Sequence, residues 1–337
     1  MRASVKNSEL TIDGMRAVRL QSADLEIELV PELGGKMVSL RHLSTGRQWL
    51  WRDPHRAFRR ANYGDDFASY DLSGFDECFP TIGGCYYPDS PFNGVFVPDH
   101  GEVWSLPWEF ELTSIGARLQ TRGVRFPYVF EKQINLLDDA RVRIAYEVTN
   151  PSSVAFKYFW SAHPLFAVEP RMQVLLPGRP RLSQELMLGG NRLREDGFLS
   201  ELRWPLVTGN DGREHDLREL PDTKGRIIDK VYAGPLEMGW CAIWSPASGD
   251  YAGFSFDLAH VSRVGVCVSL GMNPAHEGPW GWVALEPCTG STDRLDISIL
   301  RGQYQLLSGG ETIAWELTLA TGRTMSFRGL SLDGIPL

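Results

Sequence analysis

The sequence has little that would attract nucleic acid or an anionic membrane. Its 34 Lys and Arg residues are outnumbered by 42 Asp and Glu residues, which gives a formal net charge of −8. Binding to a phosphate backbone or to anionic lipid headgroups needs concentrated Lys and Arg. The short basic cluster at residues 52–60 (RDPHRAFRR) is typical of a solvated surface loop. We therefore expect neither nucleic acid nor a membrane as the main partner.

The sequence predicts neither a disulfide framework nor a targeting segment. Five cysteines leave at least one thiol unpaired, and no CxxC spacing occurs. Buried free thiols in a reducing compartment are the simplest explanation. The first 14 residues (MRASVKNSELTIDG) contain no apolar stretch of signal-peptide length, and no run approaches a membrane span. These features predict a soluble, cytoplasmic protein.

Motifs that hold a nucleotide, a metal or an activated serine are also missing. No GxGxxG, GxxxxGK[ST] or GxSxG segment is present. Zinc and facial-triad sites usually include two ligands at short spacing, and no HxH, HxxxH or HxxE pair occurs near the candidate residues named below. We expect no metal and no cofactor.

Alternation of apolar and polar residues is abundant, whereas helical periodicity with caps is scarce. The alternation is clearest at residues 25–29, 108–112, 142–148 and 313–319. It is typical of antiparallel strands with one buried face. Frequent turn residues, including 34 Gly and 21 Pro, separate such runs. The sequence predicts an all-β fold, a large sandwich or barrel, built as a single domain over residues 1–337.

Three segments rich in aromatic residues contain side chains suited to proton transfer. His100 lies in VPDHGEVWSLPWE, His163 in YFWSAHPLF and Glu286 in WGWVALEPCTG. A carboxylate and an imidazole that face each other can exchange protons with one small polar molecule, and Trp or Tyr faces can stack on a sugar ring. Alternation puts Trp280 and Trp282 on the same strand face as Glu286, where an apolar pocket would raise the pKa of the carboxyl group.

His163 and Glu286 each precede a proline, which predicts that both lie where a strand stops pairing, at the rim of a sheet. Each candidate also has an ordinary structural explanation. Glu286 could face solvent, His163 could be a structural histidine at the end of a buried strand, and His100 could cap the turn PDHG. Only convergence of the three would make an acid–base site.

Seven segments in order make the chain similar to a known family: residues 29–51, 74–84 (GFDECFPTIGG), 98–109 (PDHGEVWSLPWE), 161–166 (SAHPLF), 229–235 (DKVYAGP), 245–250 (SPASGD) and 284–290 (ALEPCTG). The chain resembles the aldose 1-epimerase (galactose mutarotase-like) family. The resemblance implies a twisted antiparallel β-supersandwich with an open cleft on one sheet. It also implies cofactor-free interconversion of the α and β anomers of a free sugar.

The resemblance also implies residue roles. Glu286 resembles the base that removes the proton from the C1 hydroxyl, and His163 resembles the acid that protonates the ring oxygen. His100 resembles the second histidine, which hydrogen-bonds the sugar near that oxygen. Asp229 falls where the family has an aspartate that binds ring hydroxyls.

Departures from the family concern the substrate. Family members commonly have an arginine early in the site, where this chain has Asp76 and Glu77, and Trp104 also occupies a position where relatives use other residues. Loss of a cation and gain of acids favour a neutral sugar held by Asp76 or Glu77 over a phosphorylated or sulfonated one. Asp76 could instead serve only to turn its loop, and a cation could come from elsewhere: Lys36, Arg59, Arg60 or Arg263.

Two function classes remain open at this point. The first is a mutarotase that acts on a free, neutral monosaccharide. The second is a non-catalytic carbohydrate-binding or regulatory protein of the same fold, and a carbohydrate isomerase or lyase on this scaffold is a further alternative. Retention of two histidines and one glutamate favours the first, because a pure binder needs no matched acid and base. The sequence chooses neither the sugar nor the oligomeric state, and it leaves a homodimer open.

Overall fold

The computed structural model describes residues 5–188, 192–194, 202–220, 227–271 and 281–337. Strands make up 49% of the structure and helices 4%, which confirms the prediction of an all-β fold. Every pairing between the strands of the described residues is antiparallel. None of the helices in these residues has the length and apolar character needed to cross a membrane.

The larger sheet contains twelve strands of the described residues. In spatial order they are β1 (Lys6–Ile12), β2 (Met15–Gln21), β3 (Leu25–Val30), β4 (Lys36–His42), β6 (Phe75–Cys78), β14 (Ser161–Ala167), β24 (Gly281–Cys288), β23 (Arg263–Leu270), β20 (Ile227–Ala233), β16 (Arg181–Leu188) and β17 (Leu202–Arg203), with β5 (Arg47–Gln48) paired to β4.

The second sheet has eight strands in the described part of the chain: β15 (Gln173–Leu175), β21 (Trp240–Trp244), β22 (Asp250–Phe256), β26 (Thr312–Arg323), β12 (Arg141–Thr149), β11 (Val129–Leu136), β10 (Gly116–Arg122) and β9 (Glu109–Leu112). Three two-stranded pairs complete the strands: β13 (Phe156–Tyr158) with β25 (Gln305–Leu307), β18 (Leu206–Thr208) with β19 (Glu214–Asp216), and β7 (Cys85–Tyr86) with β8 (Phe96–Val97). The helical segments among these residues are two 3₁₀ turns, Phe67–Ser69 and Val103–Ser105, and α1 (Leu295–Leu300).

The alternation read from the sequence corresponds to strands with one buried face. In β12, Val142, Ile144, Tyr146 and Val148 are buried, and the residues between them are exposed or half-buried. In β26 the alternation holds in the first half, where Trp315 and Leu317 are buried and Ala314 and Glu316 are exposed, and the strand is then buried on both faces from Leu317 to Thr321. One connected apolar cluster contains residues of both large sheets, so the core lies between them. That the whole chain forms one domain stays a prediction.

The central strands of the larger sheet are buried on both faces. In β24, Val283 and Leu285 belong to the core between the sheets, so Ala284 and Glu286 point to the opposite face. All residues of β24 except Trp282 are buried. A strand buried on both faces has a second environment shielded from water, and it is there that the polar candidate residues lie.

Candidate active site

Three neighbouring strands bring polar side chains into one row on the face of the larger sheet that points away from the second sheet. The register pairs His163 of β14 with Asp76 of β6. The pairs on either side of it, Ser161 with Cys288 and Leu165 with Ala284, place Glu286 of β24 opposite His163. Side chains directly opposite each other on neighbouring strands share a face. We call Asp76, His100, His163, Lys230 and Glu286, whose side chains meet on this face, the polar cluster.

His163 and Glu286 do not lie at a sheet rim, so that part of the sequence interpretation was wrong. Both are inside their strands, and each following proline, Pro164 or Pro287, is also a strand residue. Proline removes one N–H from a ladder, but the flanking pairs keep β14 and β24 in register. The interruption is local, and the two residues end up at the centre of the sheet.

Glu286 is fully buried, and its Oε1 lies 4.0 Å from Nε2 of His163. Oε1 has no hydrogen-bond partner among the described residues, and neither has Nδ1 of His163. Burial raises the pKa of Glu286 and the charge of Lys230 lowers it. Burial has the larger effect, so the pKa of Glu286 lies above its ordinary value. Buried polar atoms without partners are rare, so a small polar ligand between Glu286 and Nε2 of His163 would complete the hydrogen bonding of Oε1. Trp282 flanks the site, and Trp280 lies outside the described residues.

The turn before the second 3₁₀ segment brings His100 to the cluster. The ring of His100 stacks on Phe67 at 3.8 Å between centroids and meets His163 edge-on at 5.0 Å. The turn has positive φ at two residues, +58° at His100 and +73° at Gly101. Gly101 also lies against the carbonyl group of Phe79, and a Cβ atom on Gly101 would be 2.2 Å from that oxygen. Only glycine fits such a position.

Asp99 fixes the tautomer of His100, because Nδ1 lies 3.0 Å from Oδ2 of Asp99. Burial raises the pKa of Asp99, but the hydrogen bond and charge of His100 outweigh burial and hold the pKa below its ordinary value. The carboxylate can only accept, so Nδ1 has the proton and Nε2 is free for a ligand. Phe67, which the sequence did not single out, also meets His163 edge-on at 5.5 Å.

The structure adds Lys230 to the site. Its Nζ lies 2.6 Å from Asp293 and 3.2 Å from Oε2 of Glu286. Burial lowers the pKa of Lys230, but the charges of Asp293 and Glu286 outweigh it and hold the pKa well above its usual range. Lys230 is therefore a permanent cation beside the carboxylate.

Lys36, which the sequence offered as one cation among four, forms a second buried ion pair at the other end of the row. Its Nζ lies 2.5 Å from Asp71 and 3.1 Å from Asp76. Burial raises the pKa of Asp76 to about 6, against the lowering effect of Lys36. Asp76 thus belongs to the cluster, where its carboxyl group contacts the ammonium group of Lys36.

Burial and nearby charges disfavour the protonated form of His163. Burial lowers its pKa well below the ordinary value, and the charges of His100, Lys230 and Lys36 lower it further. The resemblance implied that His163 is the group that supplies the proton, and a ring kept neutral in this way does not hold a spare proton. Neutral His163 can still donate an N–H hydrogen bond.

Comparison with known proteins gives structural matches only. No family model and no curated protein matches the chain. A candidate aldose 1-epimerase from Klebsiella pneumoniae is 14% identical, with a TM-score of 0.67 over 95% of this chain and 84% of that chain. A candidate mutarotase from Salmonella typhimurium is 13% identical, with a TM-score of 0.62 over 94% of each chain. A galactose mutarotase-like protein from Lactobacillus casei is 15% identical, with a TM-score of 0.56 over 94% of this chain and 100% of that chain.

This chain has the galactose mutarotase-like fold. At such low identity the likeness concerns the fold alone. In this mutarotase-like fold the polar cluster brings together His100, His163, Glu286 and Asp76 of the sequence-based set, and three other members of that set lie elsewhere.

Asp229 does not reach the polar cluster. It precedes Lys230 in β20 and therefore faces the other side of the sheet, among Val231, Val266 and Val268. Its Oδ2 lies 3.7 Å from the guanidinium group of Arg192, and burial raises its pKa to about 6. The expectation that Asp229 binds the sugar beside Glu286 was wrong, because one residue of offset turns a strand side chain to the opposite face.

Glu77 faces the core between the sheets instead of the cluster. It lies 3.3 Å from Nζ of Lys132 and accepts hydrogen bonds from the Tyr146 hydroxyl and the Trp160 indole N–H. Because Asp76 and Glu77 are adjacent in β6, only one of them can point to the cluster. Glu77 is a structural residue here, and the expectation that it binds sugar was wrong.

Trp104 is buried behind the cluster and offers no open face to a sugar. Its indole packs edge-on against Phe67 and Tyr70 at 5.0 and 5.6 Å between ring centroids. Its Nε1 donates to the carbonyl of Asp99. Trp104 therefore supports the Phe67–His100 stack, and the expected direct contact with substrate was wrong.

Cys78, His100 and His163 come together in a way the sequence spacing did not suggest. The potential ligand atoms of these three residues lie within 4.8 Å of one another. The ammonium groups of Lys36 and Lys230 act on the same space, since both lower the pKa of His163, and they oppose a bound cation. We assign no metal to these residues, and a metal-free site stays a prediction.

Proposed function

We propose that this chain is an aldose 1-epimerase that interconverts the α and β anomers of a free sugar by acid–base opening of the ring. The observation that supports this best is the buried pair of Glu286 and His163, in which Oε1, without a hydrogen-bond partner among the described residues, lies 4.0 Å from Nε2. A hemiacetal carries its hydroxyl oxygen and its ring oxygen on one carbon. Two groups that face each other at this distance can therefore address both oxygens at once.

The proton transfers balance as follows. Glu286 removes the proton from the C1 hydroxyl, the C1–O5 bond breaks, C1 becomes an aldehyde carbon, and O5 takes up one proton. Rotation about C1–C2 turns the other aldehyde face toward O5. The reverse transfers then close the ring as the opposite anomer. The reaction moves two protons and no hydride or other group, so it needs no cofactor.

We assign the donated proton to His100 and the hydrogen bond on the ring oxygen to His163. The neutral state of His163 and its lowered pKa favour a hydrogen-bonding role for that ring. The Asp99 carboxylate at Nδ1 stabilises a His100 ring that carries a proton on both nitrogens, and such a ring can give its Nε2 proton to O5 and regain it when the sugar ring closes. This division reverses the roles that the family resemblance implied.

The charge pattern of the cluster supports a neutral sugar. Lys36 and Lys230 are each bound to two carboxyl groups, so neither ammonium group is left to neutralise a phosphate or sulfonate. Hydroxyl groups can hydrogen-bond to such ion pairs without adding net charge. We therefore infer a hydroxyl-rich, uncharged monosaccharide as the substrate.

Polarimetry of freshly dissolved α anomers tests the proposed activity. The panel pairs neutral aldoses with their phosphorylated or acidic counterparts, and heat-inactivated protein gives the spontaneous rate. We expect acceleration for at least one neutral sugar and none for its anionic counterpart. No acceleration for any sugar, together with saturable sugar binding in calorimetry, would instead identify a non-catalytic binding protein.

A further inference from the structure

Lys230 lies between the carboxylates of Glu286 and Asp293, and burial disfavours the charged forms of Lys230 and Glu286. Its Nζ is 3.2 Å from Oε2 of Glu286 and 2.6 Å from Oδ1 of Asp293. Glu286 has no exposed surface, and the side chain of Lys230 is 7% exposed. A buried carboxyl group without a cation takes up a proton instead of remaining ionised, and a protonated Glu286 could not act as a base.

Several titratable groups surround Glu286, and some raise its pKa while others lower it. Asp293 raises its pKa, whereas Lys230 and His100 lower it. Lys230 is the only Lys or Arg of the described residues within 4 Å of the Glu286 carboxylate. In the described part of the chain, the other titratable groups near Glu286 include those of His163, Cys78, Cys267, Cys288 and Tyr232.

Asp293 holds Lys230 through a network that also reaches the second histidine. The Tyr232 hydroxyl donates to Oδ1 of Asp293, and the carbonyl of Asp293 accepts hydrogen bonds from the N–H groups of Ile82 and Gly83. The carbonyl of Ile82 in turn accepts a hydrogen bond from the N–H of His100. The segment that orients Lys230 and the turn that presents His100 therefore share Ile82 as an anchor.

We propose that Lys230, held by Asp293, is the positioning residue that keeps Glu286 as a carboxylate and directs its free oxygen toward His163. The inference rests on the proposed role of Glu286 as the base. Lys230 is not itself the acid, because two carboxylates occupy its ammonium group. The effect is electrostatic, so another cation of similar reach should preserve it and an apolar side chain of similar length should abolish it.

The pH profile of kcat/KM tests this inference in four proteins: wild type, Lys230→Met, Lys230→Arg and the surface control Lys157→Met. Lys157 forms a half-buried ion pair with Asp89 that does not involve the polar cluster, so its variant removes a lysine without touching the cluster. Without the cation, Glu286 remains protonated to higher pH. We expect the acid limb of Lys230→Met to move up by about one pH unit or more, with activity returning in alkali. Lys230→Arg and Lys157→Met should keep the wild-type limb.

An unchanged acid limb in Lys230→Met would overturn the inference. So would an equal loss at every pH in both Lys230 variants, since that outcome marks a purely structural role. Titration of Glu286 by NMR with ¹³C-labelled glutamate, its signal assigned by loss in Glu286→Gln, gives a readout that does not depend on activity. A higher pKa of Glu286 in Lys230→Met would support the electrostatic role even if the wild type accelerates no sugar, and an unchanged pKa would refute it.

Discussion

His163 and Glu286 face each other from neighbouring central strands, with Nε2 and Oε1 4.0 Å apart. The gap is too long for a hydrogen bond and suits a ligand oxygen that contacts both groups. Lys230 on one side and Phe67 with His100 on the other limit how the two side chains can move. The proposed chemistry depends on this arrangement more than on any single residue type.

Phe67→Leu should impair catalysis while leaving binding nearly intact. Its ring stacks on His100 and meets His163 edge-on, so its loss frees both imidazoles. We expect kcat to fall about two- to tenfold, the range that one or two aromatic contacts provide. Steady-state polarimetry measures this, with Phe96→Leu at an exposed position as the control. Equal kcat in the two variants would contradict the positioning role of Phe67.

Asp229→Asn should leave activity unchanged and alter how stability depends on pH. Burial raises the pKa of Asp229 to about 6 from an unfolded value of about 3.9. Between pH ~4 and ~6 the folded state holds a proton on Asp229 that the unfolded state has lost. The contribution of Asp229 to the free energy of unfolding is therefore largest at low pH and decreases as pH rises. The wild-type free energy of unfolding should fall by up to about 3 kcal/mol relative to the variant from pH ~4 to ~6.

Urea unfolding at several pH values measures that difference, and polarimetry on the same samples checks activity. A pH-independent difference between wild type and Asp229→Asn would contradict the raised pKa. Loss of sugar affinity in the folded variant would contradict the placement of Asp229 on the core side of the sheet.

Glu77→Gln should destabilise the fold through Lys132. The substitution leaves the buried ammonium group without its carboxylate, which costs about 3–5 kcal/mol. The double variant Glu77→Gln/Lys132→Met removes the unpaired charge and should recover part of that loss. Denaturant unfolding provides both values. A Glu77→Gln variant of unchanged stability but weaker sugar binding would contradict the structural role and indicate that Glu77 binds the sugar.

Removal of metal should not reduce activity. The proposed reaction moves only protons, and the ammonium groups of Lys36 and Lys230 oppose a cation near His163. Dialysis against a chelator followed by polarimetry in metal-free buffer is the measurement. If activity is lost and one equivalent of metal restores it, then Cys78, His100 and His163 need a different interpretation.

Sequence reasoning succeeded where the signal is local and periodic. The alternation at residues 142–148 and 313–319 predicted β12 and β26, because a half-buried strand must alternate. It also selected His100, His163 and Glu286, which the structure brings together. Their convergence was a hypothesis at that stage, since no local pattern reports contacts between distant strands.

Sequence reasoning failed where two adjacent polar residues share a strand. In the pairs Asp76–Glu77 and Asp229–Lys230, one member faces the polar cluster and the other the core, and a pattern without a known register cannot choose between them. Lys230 lies in the segment DKVYAGP, but the sequence assigned it no role, because its partners Glu286 and Asp293 lie more than 50 residues away in sequence. The prolines after His163 and Glu286 misled the strand prediction, since the ladder tolerates a local gap.

Two-dimensional exchange NMR of an α/β mixture of the sugar selected by polarimetry tests the central proposal most directly. Wild type and Asp229→Asn should give strong exchange cross-peaks between the anomeric protons. Glu286→Gln, with an unaltered fold, should reduce the exchange rate about 100-fold or more toward the spontaneous value. Wild-type exchange at the spontaneous rate would contradict the proposed activity, and full exchange in Glu286→Gln would contradict the role of Glu286 as the base.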